Sequence, residues 1–173
     1  VTSGIYDDRE PHWSPDGQSI AFSSDRNGNY DIWKVDLTDL SVQALTGDPA
    51  NEYHPAFSGD GSRIAYVSEN KDAPGIYAIM NDGSQSDSSQ ADLLAASENS
   101  LASPSWSPDG EHIVFTAYDG ENSQLIYQSL SSDSAQVITT DEDIFPFRSS
   151  WLSENEILYT ADGSIKKRLI GQE

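Results

Sequence analysis

Short apolar segments alternate with polar turns along the whole chain. The clearest segments are Ile20-Ala21-Phe22, Ile32-Trp33-Lys34-Val35 and Ile64-Ala65-Tyr66. They are apolar at most consecutive positions, which is typical of strands that are covered on both faces. Asp-Gly and Asn-Gly pairs lie between them and favour tight turns, because glycine adopts positive φ without strain. The pattern therefore predicts an all-β fold built from small antiparallel sheets.

One sequence motif within this pattern occurs four times. A lead aromatic residue opens a turn that reads Ser-Pro-Asp-Gly in its best copies, and an apolar triplet follows. The lead aromatics Trp13, Phe57, Trp106 and Trp151 are spaced by 44, 49 and 45 residues. A repeat length in the low forties of residues, with turn residues between predicted strands, indicates a β-propeller or a related array. We expect all four aromatics in the core and the recurring Asp residues in structural turns.

The repeat divides a single propeller segment, residues 1–173, into four blades. Their approximate bounds are residues 3–46, 47–95, 96–139 and 140–173. Three blades should contain four antiparallel strands each, and the last lacks a fourth strand. Such a partial propeller does not readily close, since propellers typically have four to eight blades. The simplest interpretation is a fragment of a longer protein, and the alternative is a half-ring whose open edges pair with a second copy.

The end of the second unit is where local propensity and the repeat disagree. Residues 91–97 look locally helical, but the repeat register places them on the fourth strand of that unit. We follow the register. The polar tract at 84–90, just before them, cannot bury enough apolar area to order itself and predicts a mobile surface loop.

The first unit carries the residues of a known repeat. Pro11, the phrase from Trp13 to Gly17, the triplet Ile20-Ala21-Phe22 and the closing Leu45-Thr46 resemble the PD40 (WD40-like) repeat, the blade unit of TolB-like propellers. The resemblance covers essentially the whole chain. It weakens in the fourth unit, where Ser149 replaces the proline before the aromatic. It implies a parent protein with six or seven blades, usually periplasmic or secreted in bacteria.

The resemblance also implies two functional settings. In one, the propeller is a protein-binding scaffold in an envelope complex. In the other, it is an accessory domain of a hydrolase, either a peptidase of the prolyl-oligopeptidase or tricorn type or an amidohydrolase. The tail from Trp151 to Lys166 resembles the propeller segment of the amidohydrolase-linked group.

Charge narrows the choice of partners. The chain has 29 acidic and 9 basic residues, which gives a net charge of −20. Binding to nucleic acid needs the opposite sign, and anionic membrane surfaces are disfavoured for the same reason. No apolar run approaches the roughly 18 residues that span a membrane, so we predict no membrane insertion. The excess acid either keeps the chain soluble, attracts a basic partner or reflects a saline habitat.

No catalytic centre is visible in the sequence. The chain has no cysteine, no Gly-x-Ser-x-Gly elbow, no His-Glu-x-x-His motif and no P-loop. We therefore predict no catalytic residues, no cofactor and no enzymatic turnover for this segment. A hydrolase domain, if the parent has one, would lie outside this chain.

Candidate binding residues come from the segments that precede the first strand of each unit. These segments differ between units, and in a propeller they lead into the innermost strand at the mouth of the channel. Loops held on a rigid frame commonly carry binding sites. The predicted site residues are Arg9, Glu10, Glu52, Tyr53, His54 and Arg148. The expected partner is a protein, a peptide or a neighbouring domain, and the alternative is an ordinary polar rim.

A calcium site is a weaker candidate in the first unit. Asp25, Asn27, Asn29 and Asp31 place oxygen-bearing side chains at every second position, as calcium loops do. However, the sixth position, which is glycine in an EF-hand, is Tyr30. Asn-Gly at this point also predicts a plain hairpin turn.

Overall fold

A computed structural model of the chain describes residues 1–70, 72–84, 90–132 and 134–171. All regular structure there is β, which confirms the predicted fold class. No helix in these residues is long and apolar enough to cross a membrane. The strands, in chain order, are β1 (Asp8–Trp13), β2 (Ser19–Ser24), β3 (Asp31–Asp36), β4 (Val42–Ala44), β5 (Glu52–Phe57), β6 (Arg63–Ser68), β7 (Gly75–Met80), β8 (Asp92–Ala96), β9 (Ser100–Trp106), β10 (His112–Tyr118), β11 (Ser123–Ser129), β12 (Ala135–Val137), β13 (Ser150–Ser153), β14 (Glu156–Ala161) and β15 (Ser164–Leu169).

The strands form four antiparallel sheets in which neighbours in sequence are neighbours in space. Three sheets have four strands each (β1–β4, β5–β8 and β9–β12), and the last has three (β13–β15). An isolated bridge between Ile144 and Ala161 extends the last sheet. The first strands β1, β5 and β9 lie against one another in succession. This is the arrangement of propeller blades around a common axis, and we number the sheets blades 1 to 4.

The core lies between the blades rather than within one sheet. One apolar cluster joins blades 1 and 2, a second joins blades 2 and 3, and a third joins blades 3 and 4. Ile32, Ile64, Ile76, Ile113 and Ile157 are all fully buried in these clusters. Because the central strands are covered on both faces, they are apolar at consecutive positions rather than at alternate ones.

The Ser-Pro-Asp-Gly turn is a structural unit. The Ser14 hydroxyl donates to Asp16 Oδ1 at 2.6 Å and accepts from the Ser19 amide at 2.9 Å. The same bonds recur in the second and third turns. In the second, hydrogen bonds from Ser58 and Ser62 lower the pKa of Asp60 to about 2. The recurring Asp residues therefore hold turns.

The lead aromatics pack against the preceding blade. The Trp106 indole N–H donates to the Ala56 carbonyl at 3.0 Å, and the Trp151 indole donates to the Ser105 carbonyl at 3.4 Å. Trp106 is only 6% exposed, whereas Trp13 is 59% exposed. The prediction that all four aromatics are core residues is thus wrong for Trp13. Within the described residues, blade 1 packs against blade 2, and Trp13 lies on the side that blade 2 leaves open.

The end of the second unit follows the repeat register. Strand β8 (Asp92–Ala96) pairs with β7 and completes the four-stranded sheet. The strand prediction for 91–97 is confirmed. Most of the polar tract at 84–90 lies outside the described residues.

Candidate binding site at the channel mouth

The segments that lead into the first strands lie at one end of the blades, which we call the mouth face. Strand β5 begins at Glu52, which pairs with Ser68 at the end of β6. The residues next to the β6–β7 hairpin, Glu69, Asn70 and Pro74, are therefore at the same end of blade 2. The Ser-Pro-Asp-Gly turns follow the first strands and lie at the opposite end. A cleft of about 410 Å³ opens on the mouth face between blades 2 and 3.

Three predicted site residues line this cleft. They are Glu10, Tyr53 and His54, which come from the first strands of blades 1 and 2. Among the lining residues that sequence reasoning missed are two acidic ones, Glu69 and Glu98, whose side chains are exposed. Glu69 lies in the hairpin of blade 2, and Glu98 precedes the first strand of blade 3. The repeat pattern does not reveal these two residues. The cleft is formed by a hairpin of blade 2 and by the segment that leads into blade 3, and only the packing of the two blades brings them together.

A repeated backbone irregularity positions the inner residues of the mouth face. Glu10, His54 and Ser103 each precede the proline of their unit and have φ of 54°, 57° and 55°. The strand register shifts at each of these positions, as in a β-bulge. Such φ values are uncommon for residues other than glycine and need support from neighbours. That support comes from the next blade: Glu10 Oε2 accepts from the His54 amide at 2.6 Å, and Ser103 Oγ donates to the Pro146 carbonyl at 2.7 Å.

His54 and Glu10 also meet through their side chains. His54 Nδ1 lies 3.4 Å from Glu10 Oε1. Burial lowers the pKa of His54, Glu10 opposes this shift, and Arg148 adds to it. An imidazole with a lowered pKa is neutral near pH 7. His54 therefore adds little positive charge beside Glu10, and the cation that interacts with the Glu10 carboxyl group is Arg148.

Arg148 lies beneath the cleft and joins three blades. It occupies the position in blade 4 that corresponds to Glu10, His54 and Ser103. Its guanidinium donates to backbone carbonyls at Pro104 (3.0 Å), Pro55 (2.7 Å) and His54 (3.3 Å). Burial lowers the pKa of Arg148 to about 10, so the group remains charged at neutral pH.

Arg9 and Tyr53 form part of an aromatic cluster beside the cleft. The Arg9 guanidinium lies 4.8 Å from the centre of the Tyr30 ring, and the Tyr30 and Tyr53 ring centres are 5.1 Å apart. The Tyr30 hydroxyl donates to Asp7 Oδ2 at 2.8 Å, and Arg9 pairs with the same carboxylate. The cluster gives this side of the mouth face an aromatic surface, with the two tyrosine rings tilted by 41°, that is held by hydrogen bonds and a cation–π contact.

Glu52 does not join the other predicted residues. It is 0% exposed, and its amide donates to the Tyr30 carbonyl at 2.7 Å. Burial raises the pKa of Glu52 to about 8, and the nearby carboxylates of Asp48 and Asp31 reinforce the shift. The side chain lies between blades 1 and 2 rather than on the mouth face, and it is mostly protonated at neutral pH.

The calcium candidates form a hydrogen-bonded hairpin. The side-chain amides of Asn27 and Asn29 donate to Asp31 at 3.3 and 3.5 Å, and Asp25 Oδ1 accepts from the Asp7 amide at 2.9 Å. Burial raises the pKa of Asp31 to about 6. Over the described ranges, no three His, Asp or Glu side chains are grouped so as to hold a metal ion. Calcium binding by these four residues stays a prediction without structural support.

Comparison with known proteins identifies related chains. Residues 1–171 match the family model described as PD40, TolB beta propeller domain. The Tol-Pal system protein TolB of Hydrogenovibrio crunogenus is 31% identical over 102 residues, which cover 59% of this chain and 22% of the relative. The chain spans between 17% and 39% of the length of three curated relatives that it matches.

Two solved structures share the fold. TolB from Acinetobacter baumannii has a TM-score of 0.67 at 24% identity, over 87% of this chain and 36% of that chain. A puromycin-hydrolyzing peptidase from Mycobacterium tuberculosis has a TM-score of 0.73 at 19% identity, over 96% of this chain and 28% of that chain. At these identities the likeness concerns the fold alone.

Proposed function

The chain belongs to the PD40 family of TolB β-propeller domains, and from that premise we propose that it is a non-catalytic binding scaffold. It binds a protein, a peptide or a neighbouring domain through the loops of the mouth face. Propeller folds host many functions, so the proposal depends on the site and not on the fold. The observation that carries it is the cleft between blades 2 and 3, which is lined by Glu10, Tyr53 and His54.

The inner wall of the cleft suits a binding role because it is held rigidly. Glu10, His54 and Arg148 are tied to neighbouring blades by hydrogen bonds to and from the backbone. A preformed surface loses little conformational entropy when a partner binds. A site of this kind needs no moving lid to recognise an extended segment.

A protein partner and a periplasmic or secreted location in bacteria are part of the same proposal. Relatives of this chain are named as Tol-Pal system proteins, which supports a protein partner in general. The alternative function is that of an accessory propeller of a hydrolase. A peptidase of similar fold, in which the matched part is 28% of the chain, favours that alternative. Under either proposal these 173 residues alone show no turnover.

The proposal is tested with a single reporter group. The chain contains no cysteine, so Asn99→Cys places one fluorophore in the cleft and Glu154→Cys places one in a turn at the opposite end. Both labelled variants are titrated with pools of random peptides. We expect pools that change the fluorescence of the Asn99 label and leave the Glu154 label unchanged. Responses confined to the Glu154 label, or no response to any pool, would contradict the proposal.

A further inference from the structure

We propose that the cleft between blades 2 and 3 receives a segment of another protein that carries Lys or Arg side chains. This inference rests on the proposed function and adds the chemical class of the partner. Three observations support it: the apolar and acidic residues that line the cleft, the partners of the chain's own Lys and Arg side chains, and the net charge of the molecule.

The cleft combines an apolar wall with an acidic rim. Pro74 is half-buried, and Val67 and Leu101, which are 5% and 9% exposed, add a narrow apolar strip to the lining, while Glu69 and Glu98 contribute exposed carboxylates from opposite blades. A long cationic side chain buries its methylene groups along apolar surface while its charged head stays near carboxylates and water. Neither feature alone would select a ligand. Together, at one place, they match both ends of a lysine or arginine side chain.

The cations that the structure describes are already engaged by other groups of the same chain. Each of the eight Lys and Arg side chains within the described ranges has a partner in its own fold, either a carboxylate or a backbone carbonyl. Arg148, beneath the cleft, is held by carbonyl oxygens, and the ninth cation, Lys71, lies outside the described residues. Within the described ranges, no Lys or Arg side chain pairs with Glu69 or Glu98, so both carboxylates are open to a cation from a partner.

Charge also decides between another protein and a second copy of this chain. Each copy has a net charge of −20, so two mouth faces would repel each other. A basic segment is attracted by the same field, which speeds its encounter with the cleft and fixes its orientation. A second copy is thus disfavoured as the occupant.

The test uses a fluorescently labelled peptide of alternating Lys and Ala. Two matched peptides carry Gln or Glu in place of Lys. The binding affinity of the whole chain for each peptide is measured by fluorescence anisotropy. We expect tight binding only for the Lys peptide, with an affinity that falls as salt rises, because charges at the rim are screened.

Two double variants distinguish the effect of the cleft carboxylates on peptide binding from the effect of the overall negative charge of the molecule. Glu69→Gln with Glu98→Gln removes two charges from the cleft, and Glu111→Gln with Glu154→Gln removes two exposed charges from turns at the opposite end. We expect the first pair to weaken binding of the Lys peptide by about threefold to tenfold, and the second pair by less than about twofold. All four substitutions are at exposed positions, so the fold should be retained.

Three outcomes would overturn the inference. Equal losses for the two variant pairs would show that only the overall charge attracts the peptide. Equal binding of the polyamine spermine would show that no protein segment is needed. Peptides without Lys or Arg that bind at the Asn99 label with equal affinity would remove the charge preference and leave the scaffold proposal standing. The scaffold proposal itself fails only if no peptide binds at that label.

Discussion

Arg148 connects blades that are distant in sequence. Its bonds reach from blade 4 to the carbonyls of Pro104 in blade 3 and of His54 and Pro55 in blade 2. Hydrogen bonds from a charged donor are the stronger kind, and their loss leaves partly buried carbonyls without a donor. Arg148 therefore acts mainly as a clamp under the mouth face, and the sequence prediction that it belongs to this region gave no hint of that role.

We expect Arg148→Ala to lower the free energy of unfolding by about 2–3 kcal/mol, because several charged hydrogen bonds are lost together. Lys167→Ala is the control, since that exposed side chain pairs with Glu156 at 2.9 Å and with no other described carboxylate, and the control should lose at most about 0.5 kcal/mol. Urea denaturation of both variants measures the difference. Equal stability of Arg148→Ala and the parent chain would show that the clamp contributes nothing.

Glu52 makes stability depend on pH. Burial raises its pKa to about 8 from the ordinary value of 4.5. Between these values the unfolded chain has ionised Glu52 while the folded chain retains the proton, so stability falls as pH rises through this window. Below the lower value both states are protonated, and above the upper value the penalty is complete.

We expect Glu52→Gln to flatten this dependence. Relative to the parent chain, the variant should gain at least about 1 kcal/mol in unfolding free energy between about pH 5 and about pH 8. Denaturant midpoints of the two chains across that range provide the measurement. A constant difference between them would mean that Glu52 ionises as readily in the folded chain as in the unfolded one.

Individual residues differ in how far their sequence context reveals them. The Asp of the Ser-Pro-Asp-Gly turn is predictable because its hydrogen bonds join residues two apart. Glu52 is not, because its burial depends on the packing of blade 1 against blade 2. Adjacent residues illustrate the difference: Tyr53 lines the cleft and Glu52 is fully buried, as alternate side chains of a strand face opposite ways.

At the scale of elements, the repeat register is a better guide than local propensity. Residues 91–97 have helical composition, yet Asp92–Ala96 form a strand because β7 presents an edge that needs a partner. The register could not reveal which lead aromatics are covered, since cover comes from the preceding blade. Trp13 and Trp106 have the same place in the repeat and very different exposure.

This difference leads to a paired prediction. Trp106→Ala removes a buried indole and its hydrogen bond to Ala56, so we expect a loss of about 3–5 kcal/mol in unfolding free energy. Trp13→Ala removes an exposed indole, and the loss should be below about 1 kcal/mol. Chemical denaturation compares the two at the same repeat position. Similar losses would mean that Trp13 is covered in solution, for example by a second copy.

At the scale of the whole molecule, blade architecture and negative charge follow directly from the sequence. The cleft does not, because it exists only where the hairpin of blade 2 faces the lead-in segment of blade 3. The sequence predicts Glu10, Tyr53 and His54 from one class of segment, and only the packing of two sheets brings Glu69 and Glu98 into the same cleft. Binding at the mouth face is thus a property of the assembled blades.

Hydrogen exchange of the backbone amides tests this central claim most directly. The chain is compared with and without a saturating peptide selected with the Asn99 label. The account predicts slower exchange in residues 67–70 and 98–101, which line the cleft, and unchanged exchange in the turns at 15–18 and 108–111. Protection confined to those turns, or no protection at the cleft, would contradict a binding site on the mouth face.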